Sequence, residues 1–486
     1  MRETGLNDTR NQVAAGVERL GAWITSIRLE DIPQPVLARA VRVLADDLGA
    51  IVGARDEPEV ARFHARTLAT AGSAEATVFR GAGTSQRSRT DRRNAAVANG
   101  LAADWLELDE GYRVTPCHAG LYVIPALIAE AEATDLPLGQ TLRALVLGYE
   151  FVTRIARSWT PSAMTMQSHG RYGAIGAAAG VALARGADAR RFVDAVGTAA
   201  TLTGPSPRTH LADGVLARNV WPAAGAWSGF MAVEWAECGI AGAPVAFFDV
   251  YSTVLGGAAH PQRLTDGLGE RWAIEDGYTK VYACCQHLHS AVEAVLGLRP
   301  ALLREARLDE IESVTVDTHA LARPLMNQRP HTTLGAKFSM PHAVAAALVT
   351  GSGGADAFAA TTLDDPVLGA LRGRVRVAAW APELPAPNDR PARVRVTLSG
   401  GRSLTGECLS AQGGPDRPLP PDTVWHKLDT LAGPVYPRMR GIFEELAALA
   451  PARLAQGWTS IVNELVANEP LNKSVRNESR LYKHLD

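Results

Sequence analysis

Alanine and glycine supply many of the apolar positions in a long run of helix-patterned segments, and this feature most constrains the fold. Between residues 12 and 272, apolar residues recur at the three-and-four spacing of an amphipathic helix. Small side chains allow helix axes to approach closely, so we expect a compact helical core. The segments are Pro35 to Val52, Ala95 to Leu106, Leu121 to Thr134, Thr141 to Arg157, Gly173 to Arg185, Ala189 to Thr203 and Pro222 to Gly239.

The pattern changes near Glu275, where β-branched residues begin to alternate with polar ones. Ile311 to His319 and Arg374 to Trp380 read as strands, and Ala392 to Glu407 reads as a hairpin around Ser399 to Gly401. Helical runs separate these strands, at Ser290 to Ala306 and Pro341 to Thr350. This alternation predicts an α+β domain with an antiparallel sheet covered on one face.

The expected architecture is mainly α with an α+β second domain. We expect a large all-helical domain in residues 1–274 and a smaller lid domain with an antiparallel sheet in residues 275–412. Residues 413–486 should supply C-terminal helices that return to the helical domain, with a polar tail from Asn468 to Asp486 that is poorly ordered.

Charge and cysteine usage exclude several classes of protein. The formal net charge is −2, from 49 basic and 51 acidic residues, so no global field attracts nucleic acid or an anionic membrane. The 5 cysteines form no C-x-x-C pair, which argues against a disulfide framework. The N-terminus lacks the apolar region of a signal peptide, and no window is long enough to span a membrane. We therefore expect a cytoplasmic protein.

An acidic cluster lies between two Ala-rich segments and runs into a loop that contains cysteine and histidine. The cluster comprises Asp104, Glu107, Asp109 and Glu110, and the loop carries Cys117 and His118. Burying an unpaired carboxylate costs several kcal/mol or shifts its pKa, so closely packed helices have no structural use for such a cluster. A solvated helix end is the alternative, but the position at a helix-to-loop junction favours an acid/base site.

The order of several motifs resembles the MmgE/PrpD family. The motifs are ANG followed by the acidic cluster, a histidine and an I-P-A helix, then GYEFVTR at Gly148 to Arg154, KVYACCQHLHSAVEA at Lys280 to Ala294, and AKFSMPHA at Ala336 to Ala343. The resemblance covers roughly residues 30 to 465 and implies a homodimer that converts a small di- or tricarboxylate without metal or cofactor. It also implies that proton transfer occurs at a carbon next to a carboxylate.

The resemblance places the principal acid/base at His118, after the acidic cluster. A neutral imidazole both accepts and donates a proton near neutral pH, which suits this chemistry. Asp109 falls within the family's D-x-D-D-T pattern, here Glu107 to Gly111. Two departures stand out, because Glu107 is longer than the family's aspartate and Gly111 replaces its threonine. These departures leave the identity of the substrate open.

Further candidates come from the start of later helices. His169 and Arg171 precede a predicted helix whose N-terminus would favour an anion, and we assign His169 a catalytic role and Arg171 a role in substrate binding. Arg218 takes the place of a family lysine that binds carboxylate, and a guanidinium would bind it in a bidentate fork. Trp221 replaces a more polar family residue and suggests a substrate with an alkyl or ring portion, although a core position is equally compatible.

The lid segment supplies the remaining candidates. Lys280 matches the family's lysine at the domain junction and should form a carboxylate clamp with Arg218; Cys284 and His287 follow it as substrate-binding candidates. A zinc site formed by Cys284, Cys285, His287 and His289 is an alternative, but we expect no metal, because no further ligand pair has useful spacing. His342 replaces the family's tyrosine and either adds a second acid/base or fills the same space.

These assignments favour a cofactor-independent lyase, with dehydration as the first choice. Decarboxylation and epimerisation are close alternatives, because all three reactions can share a carbanion-like intermediate that cations stabilise. A member that has lost catalysis and only binds a ligand is a second alternative. An enzyme retuned for a larger substrate would also explain the departures at Gly111, Arg218 and His342.

Overall fold

The computed structural model describes residues 2–80 and 88–467, and its first 278 residues are mainly helical. Among residues 2–80 and 88–467, no helix is both long and apolar enough to cross a membrane. The elements are α1 (Arg2–Ser26), α2 (Gln34–Gly53), α3 (Pro58–Ala69), β1 (Ala76–Thr77), β2 (Arg89–Thr90), α4 (Arg92–Ala103), β3 (Gly111–Tyr112), α5 (Ala119–Ala133), α6 (Leu138–Arg157), β4 (Trp159–Thr160), α7 (Ser168–Ala184), α8 (Ala189–Thr201), α9 (Thr209–Asp213), α10 (Val220–Glu237), α11 (Ala246–Phe248), β5 (Ala258–Ala259) and β6 (Gly277–Tyr278).

Small residues set the close packing of these helices, as the composition predicts. α7 packs against both α5 and α10. A Cβ built on Gly229 of α10 would lie 2.7 Å from the backbone nitrogen of Ala178 in α7. A Cβ on Gly176 of α7 would lie 2.5 Å from the Cβ of Tyr122 in α5. Larger residues at these glycines would therefore force the helices apart.

The second part of the chain combines helices with a four-stranded sheet. Its elements are α12 (His289–Glu305), β7 (Ile311–Thr318), α13 (Thr333–Lys337), α14 (Met340–Thr350), α15 (Pro366–Arg374), β8 (Val375–Ala379), β9 (Ala392–Leu398) and β10 (Ser403–Cys408). The strand order is β10-β9-β7-β8, and α12 packs against β9 and β10.

The sheet is mixed, whereas the sequence pattern indicated an antiparallel one. β9 pairs antiparallel with β7 and β10, and β9 and β10 form the hairpin that the sequence predicts. β8 instead runs parallel to β7. The chain between β7 and β8 includes α13, α14 and α15, which is the long helical crossover that a parallel pair requires.

The last described helices pack against the N-terminal ones. They are α16 (Pro421–Ala432), α17 (Met439–Leu446), α18 (Pro451–Leu454) and α19 (Trp458–Val466). α16 and α17 contact α2, and α19 contacts α5. The Nζ of Lys427 in α16 lies 2.7 Å from Asp46 in α2 and donates to the carbonyl of Leu108. The predicted polar tail, residues 468–486, lies outside the described residues.

Candidate active site

The acidic cluster lies in a buried loop between α4 and α5. The sequence predicted helix as far as Leu106, but α4 ends at Ala103 and Asp104 is its C-cap. Glu107 adopts a positive φ of 54°, which a continuing right-handed helix does not allow. All four acids are at most 2% exposed, so the solvated helix end is excluded.

Two cations form ion pairs with three of these acids. Arg218, from the turn before α10, binds Asp104 and Glu107 through its two terminal nitrogens. The Nζ of Lys280, which follows β6, lies 3.2 Å from Glu107 Oε2 and 3.0 Å from Asp109 Oδ1. Burial acts to lower the pKa of Lys280, but the surrounding carboxylates raise it well above its ordinary value. These groups form one ion network that is almost free of solvent.

His118 extends this network at the N-cap of α5. Its Nδ1 lies 2.6 Å from Asp109 Oδ2 and 2.8 Å from the carbonyl oxygen of Glu110. Both partners are acceptors, so Nδ1 carries a proton and Nε2 is the nitrogen left to exchange one. Burial acts to lower the pKa of His118, but the charge and hydrogen bond of Asp109 raise it above its ordinary value. His118 is therefore prepared to act as a proton donor.

His169 packs against the ring of His118. The two rings meet edge to face, with centroids 4.9 Å apart. The Nδ1 of His169 lies 2.9 Å from the hydroxyl of Tyr122, and its Nε2 lies 3.1 Å from Asp104 Oδ2. Burial and the charge of Arg218 hold the pKa of His169 well below its ordinary value, so this ring is neutral.

A cavity of about 70 Å³ opens beside this network, which is room for a few waters or one small organic molecule. It forms where α5, α7 and α10 begin, and helix N-termini favour negative charge. Five of the sequence-predicted residues line it: Glu107, His118, Arg218, Lys280 and His287. Asp109 does not line the cavity but contacts two residues that do, His118 and Lys280.

His169 contacts His118 without lining the cavity, and the structure places four other predicted residues away from the lining as well. Arg171 lies within α7, which begins at Ser168, and packs over the ring of Tyr172. Trp221 stacks on His210 instead of forming a cavity wall. Cys284 is fully buried, and its carbonyl lies 3.1 Å from His289 Nε2.

His342 is the fourth of these residues, and its surroundings are structural. It is fully buried at the start of α14, with Nε2 3.1 Å from the carbonyl of Ala357 and Nδ1 3.2 Å from Arg372. Burial lowers its pKa to about 4, so it stays neutral near pH 7. The structure therefore favours the space-filling alternative over a second acid/base.

Sequence reasoning missed four residues with charged or phenolic side chains that line the cavity, namely Tyr112, Arg208, Tyr278 and Arg390. The sequence signal for Tyr278 was Gly111 in place of the family's threonine, but only the structure shows that β3 and β6 pair so that Gly111 faces Tyr278. A Cβ on Gly111 would overlap the Tyr278 ring. The glycine that replaces the expected threonine thus makes room for a tyrosine, which brings another hydroxyl to the same site.

The Cys/His segment does not gather its ligand atoms, because His289 faces the Cys284 carbonyl while His287 lines the cavity. Across residues 2–80 and 88–467, the one group of three or more side chains close enough to hold a metal is Asp104, Glu107 and Asp109, whose ligand atoms lie within 4.8 Å of one another. Arg218 and Lys280 already form ion pairs with these carboxylates. Cation binding would therefore have to displace an ion pair.

Comparison with known proteins matches both parts of the chain to one family. The MmgE/PrpD N-terminal domain matches residues 18–256, and the MmgE/PrpD C-terminal domain matches residues 282–449. The chain is 24% identical over 474 residues to a cis-aconitate decarboxylase-like protein, oryM, of Aspergillus oryzae, covering 92% of this chain and 95% of that protein. It is 26% identical over 455 residues to a cis-aconitate decarboxylase of Aspergillus terreus, covering 85% and 88% respectively.

Proposed function

This chain belongs to the MmgE/PrpD family, and we propose that it is a cofactor-independent lyase that transfers a proton next to a carboxylate of a small di- or tricarboxylate. The observation that carries this proposal is the hydrogen bond from His118 to Asp109 beside a cavity that Arg218 and Lys280 also line. This arrangement provides a proton donor together with cations that stabilise developing negative charge.

Decarboxylation is the reaction that this geometry supports best. The bond from a substrate carbon to one carboxylate breaks, carbon dioxide leaves, and the electron pair is delocalised through the adjacent double bond onto a second carboxylate. The Nε2 of protonated His118 then delivers its proton to the carbon next to that second carboxylate, the double bond shifts by one carbon, and the imidazole becomes neutral. A single proton donor suffices for this sequence, and His118 has a raised pKa. Lys280 and Arg218 stabilise the carbanion-like intermediate.

The names of the compared relatives point the same way, since both include cis-aconitate decarboxylase. Dehydration, the first choice from sequence, is the second candidate because His287 also lines the cavity. A dehydratase needs a base as well as the acid His118. Burial, with the charges of Arg390, His319 and Arg208, holds the pKa of His287 well below its ordinary value, so the ring is neutral but a weak base, and dehydration ranks second.

The departures from the family pattern support retained catalysis rather than a ligand-binding member without activity. Arg218 replaces a lysine and Glu107 is one methylene longer than an aspartate, and these two residues pair with each other. Tyr278 likewise occupies the space that Gly111 leaves. Each change is therefore matched by a second residue in the same network, which is the arrangement expected when the site keeps its chemistry.

The experiment is incubation of the protein with a carboxylate panel followed by proton NMR. The panel consists of cis-aconitate, maleate and fumarate as unsaturated acids, and citrate and malate as hydroxy acids. We expect cis-aconitate, or another unsaturated acid, to lose one carboxylate with release of carbon dioxide. New vinyl signals from a hydroxy acid would favour dehydration instead. Conversion of no member of the panel would contradict the proposal.

A further inference from the structure

Besides His118, four cationic side chains line the cavity, but two of them are already paired with carboxylates. Arg218 and Lys280 pair with Asp104, Glu107 and Asp109, and protonated His118 pairs with Asp109 as well. Three positive groups thus face three carboxylates, so the network is close to neutral. A polyanionic substrate gains little attraction from a neutral network, and its further negative charge needs other partners.

Arg208 is the first cation that has no such pairing. It lies in the loop that leads into α9, and its backbone N–H donates to the carbonyl of Thr165 at 2.9 Å. Arg208 lines the cavity, and its guanidinium forms no ion pair with any described residue of the chain. Because the residue is only partly buried, its side chain can stay hydrated until an anion arrives.

Arg390 is the second cation, and it comes from the segment between β8 and β9. Its terminal nitrogens donate to the side-chain oxygen of Gln286 and to the carbonyl of Arg113, both of them neutral acceptors. Its Nε is buried without a hydrogen bond, and Asp389 lies 3.9 Å away but pairs more closely with Arg113. Burial and the charge of Arg113 lower the pKa of Arg390 to about 10, as expected for a cation that lacks its counterion.

Both arginines face the same stretch of the cavity lining. The charges of Arg390 and Arg208 each act on His287, which lines the cavity with them. Arg208 belongs to the mainly helical part of the chain, whereas Arg390 belongs to the part that contains the sheet. An anion held between them would therefore contact both parts at once.

We propose that Arg208 and Arg390 together bind a second carboxylate of the substrate, at the cavity wall distinct from the reacting carboxylate beside His118. This inference rests on the proposed function and restricts it to substrates that carry at least two carboxylates. The carboxylate clamp that the sequence predicts, Arg218 with Lys280, is revised accordingly. Arg218 and Lys280 hold the acidic loop beside His118, whereas Arg208 and Arg390 bind the second carboxylate of the substrate.

The test measures equilibrium binding by calorimetry with two probes, tricarballylate, a saturated tricarboxylate, and butyrate, which has one carboxylate. We expect the parent protein to bind tricarballylate at least ~10-fold more tightly than butyrate. Arg208→Gln and Arg390→Gln should each raise the Kd of tricarballylate roughly 10- to 100-fold, the scale of one charge-assisted hydrogen bond, and should remove most of the preference over butyrate. Arg323→Gln is the matched control, since Arg323 is an exposed arginine that lines a neighbouring cavity instead.

Unchanged tricarballylate binding in Arg208→Gln would overturn the inference, as would a parent that binds both probes equally. Arg208 has no ion pair to lose, so this variant should keep its fold, and its result decides even if Arg390→Gln fails to fold. Arg390→Lys, which keeps the charge, should bind tricarballylate more tightly than Arg390→Gln. If the probes are distinguished as expected but no member of the carboxylate panel is converted, the proposed reaction fails while this binding site stands.

Discussion

The protonation state of His118 depends on a few neighbouring groups. Asp109 holds its Nδ1 and raises its pKa, whereas burial and Lys280 act to lower it. The opposite nitrogen, Nε2, carries the proton that is transferred.

His118→Asn should lower turnover at least ~100-fold, the usual scale for a positioned general acid, while leaving the fold intact. Turnover of the active panel member and the circular dichroism spectrum measure the two effects. His426→Asn, which removes an exposed histidine of α16, is the control and should keep full activity. Near-full activity in folded His118→Asn would remove His118 from the mechanism.

Asp109→Asn should shift the pH profile. Protonated His118 is the active form, so activity is present below the pKa of His118 and is lost as pH rises through it. Without the charge of Asp109, burial dominates and lowers this pKa, so the falling limb moves to lower pH. The measurement is kcat/KM against pH. Glu312→Gln, which removes an exposed carboxylate outside the site, is the control and should leave the limb unshifted. An unshifted limb would show that Asp109 does not set the charge of His118.

Gly111→Ala tests the space shared with Tyr278. The new methyl would overlap the tyrosine ring and displace it from the cavity, so we expect activity to fall at least as far as in Tyr278→Phe, which removes only the hydroxyl. Steady-state kinetics of both variants make the comparison. Full activity in Gly111→Ala would mean that the ring is not needed where the structure places it.

Some of these residues were predictable from sequence and others were not. Four residues at family motif positions meet in one ion network, namely His118, Asp109, Arg218 and Lys280. Arg390 lies in an irregular segment of a chain rich in arginine, so only the folded cavity distinguishes it. His342 replaces the tyrosine of a family motif, but the motif could not reveal that its ring faces Ala357 and Arg372.

At the scale of the elements, the three-and-four spacing of apolar residues predicted most helices but not all of their ends. The end of α4 was missed because the left-handed backbone of Glu107 is not encoded in hydrophobic spacing. The beginning of α7 was placed too late, because Ser168 to Tyr172 contains polar residues that are buried in the tertiary structure.

Gly229→Ala should destabilise the protein, because the added Cβ would lie 2.7 Å from Ala178 N and 2.8 Å from Ala174 O in α7. Overpacking of this kind costs about 1–3 kcal/mol. Gly297→Ala in α12 is the matched control, since nothing lies within 4 Å of its new Cβ. It should be neutral or stabilise the helix by up to about 1 kcal/mol. Thermal unfolding compares them, and an equal Tm for both variants would contradict the packing account.

At the scale of the whole molecule, the site joins distant parts of the chain. The tertiary fold brings the acidic loop together with Arg218, Lys280 and Arg390. Lys427 of α16 donates to the same loop at the carbonyl of Leu108. The periodicity predicted both a helical part and a part with a sheet. It could not predict the parallel pairing of β8, which depends on how the crossover packs. The homodimer stays a prediction that light scattering can test.

The most direct test of the central claim is solvent deuterium incorporation. The protein is incubated in deuterated water with the panel member that it converts, and NMR locates the label in the product. We expect one deuterium on the carbon next to a carboxylate in the product of the parent protein and of His426→Asn. The rate of deuterium incorporation should be at least ~100-fold lower in His118→Asn. Turnover without deuterium at that carbon, or equal incorporation rates in all three proteins, would contradict proton transfer by His118.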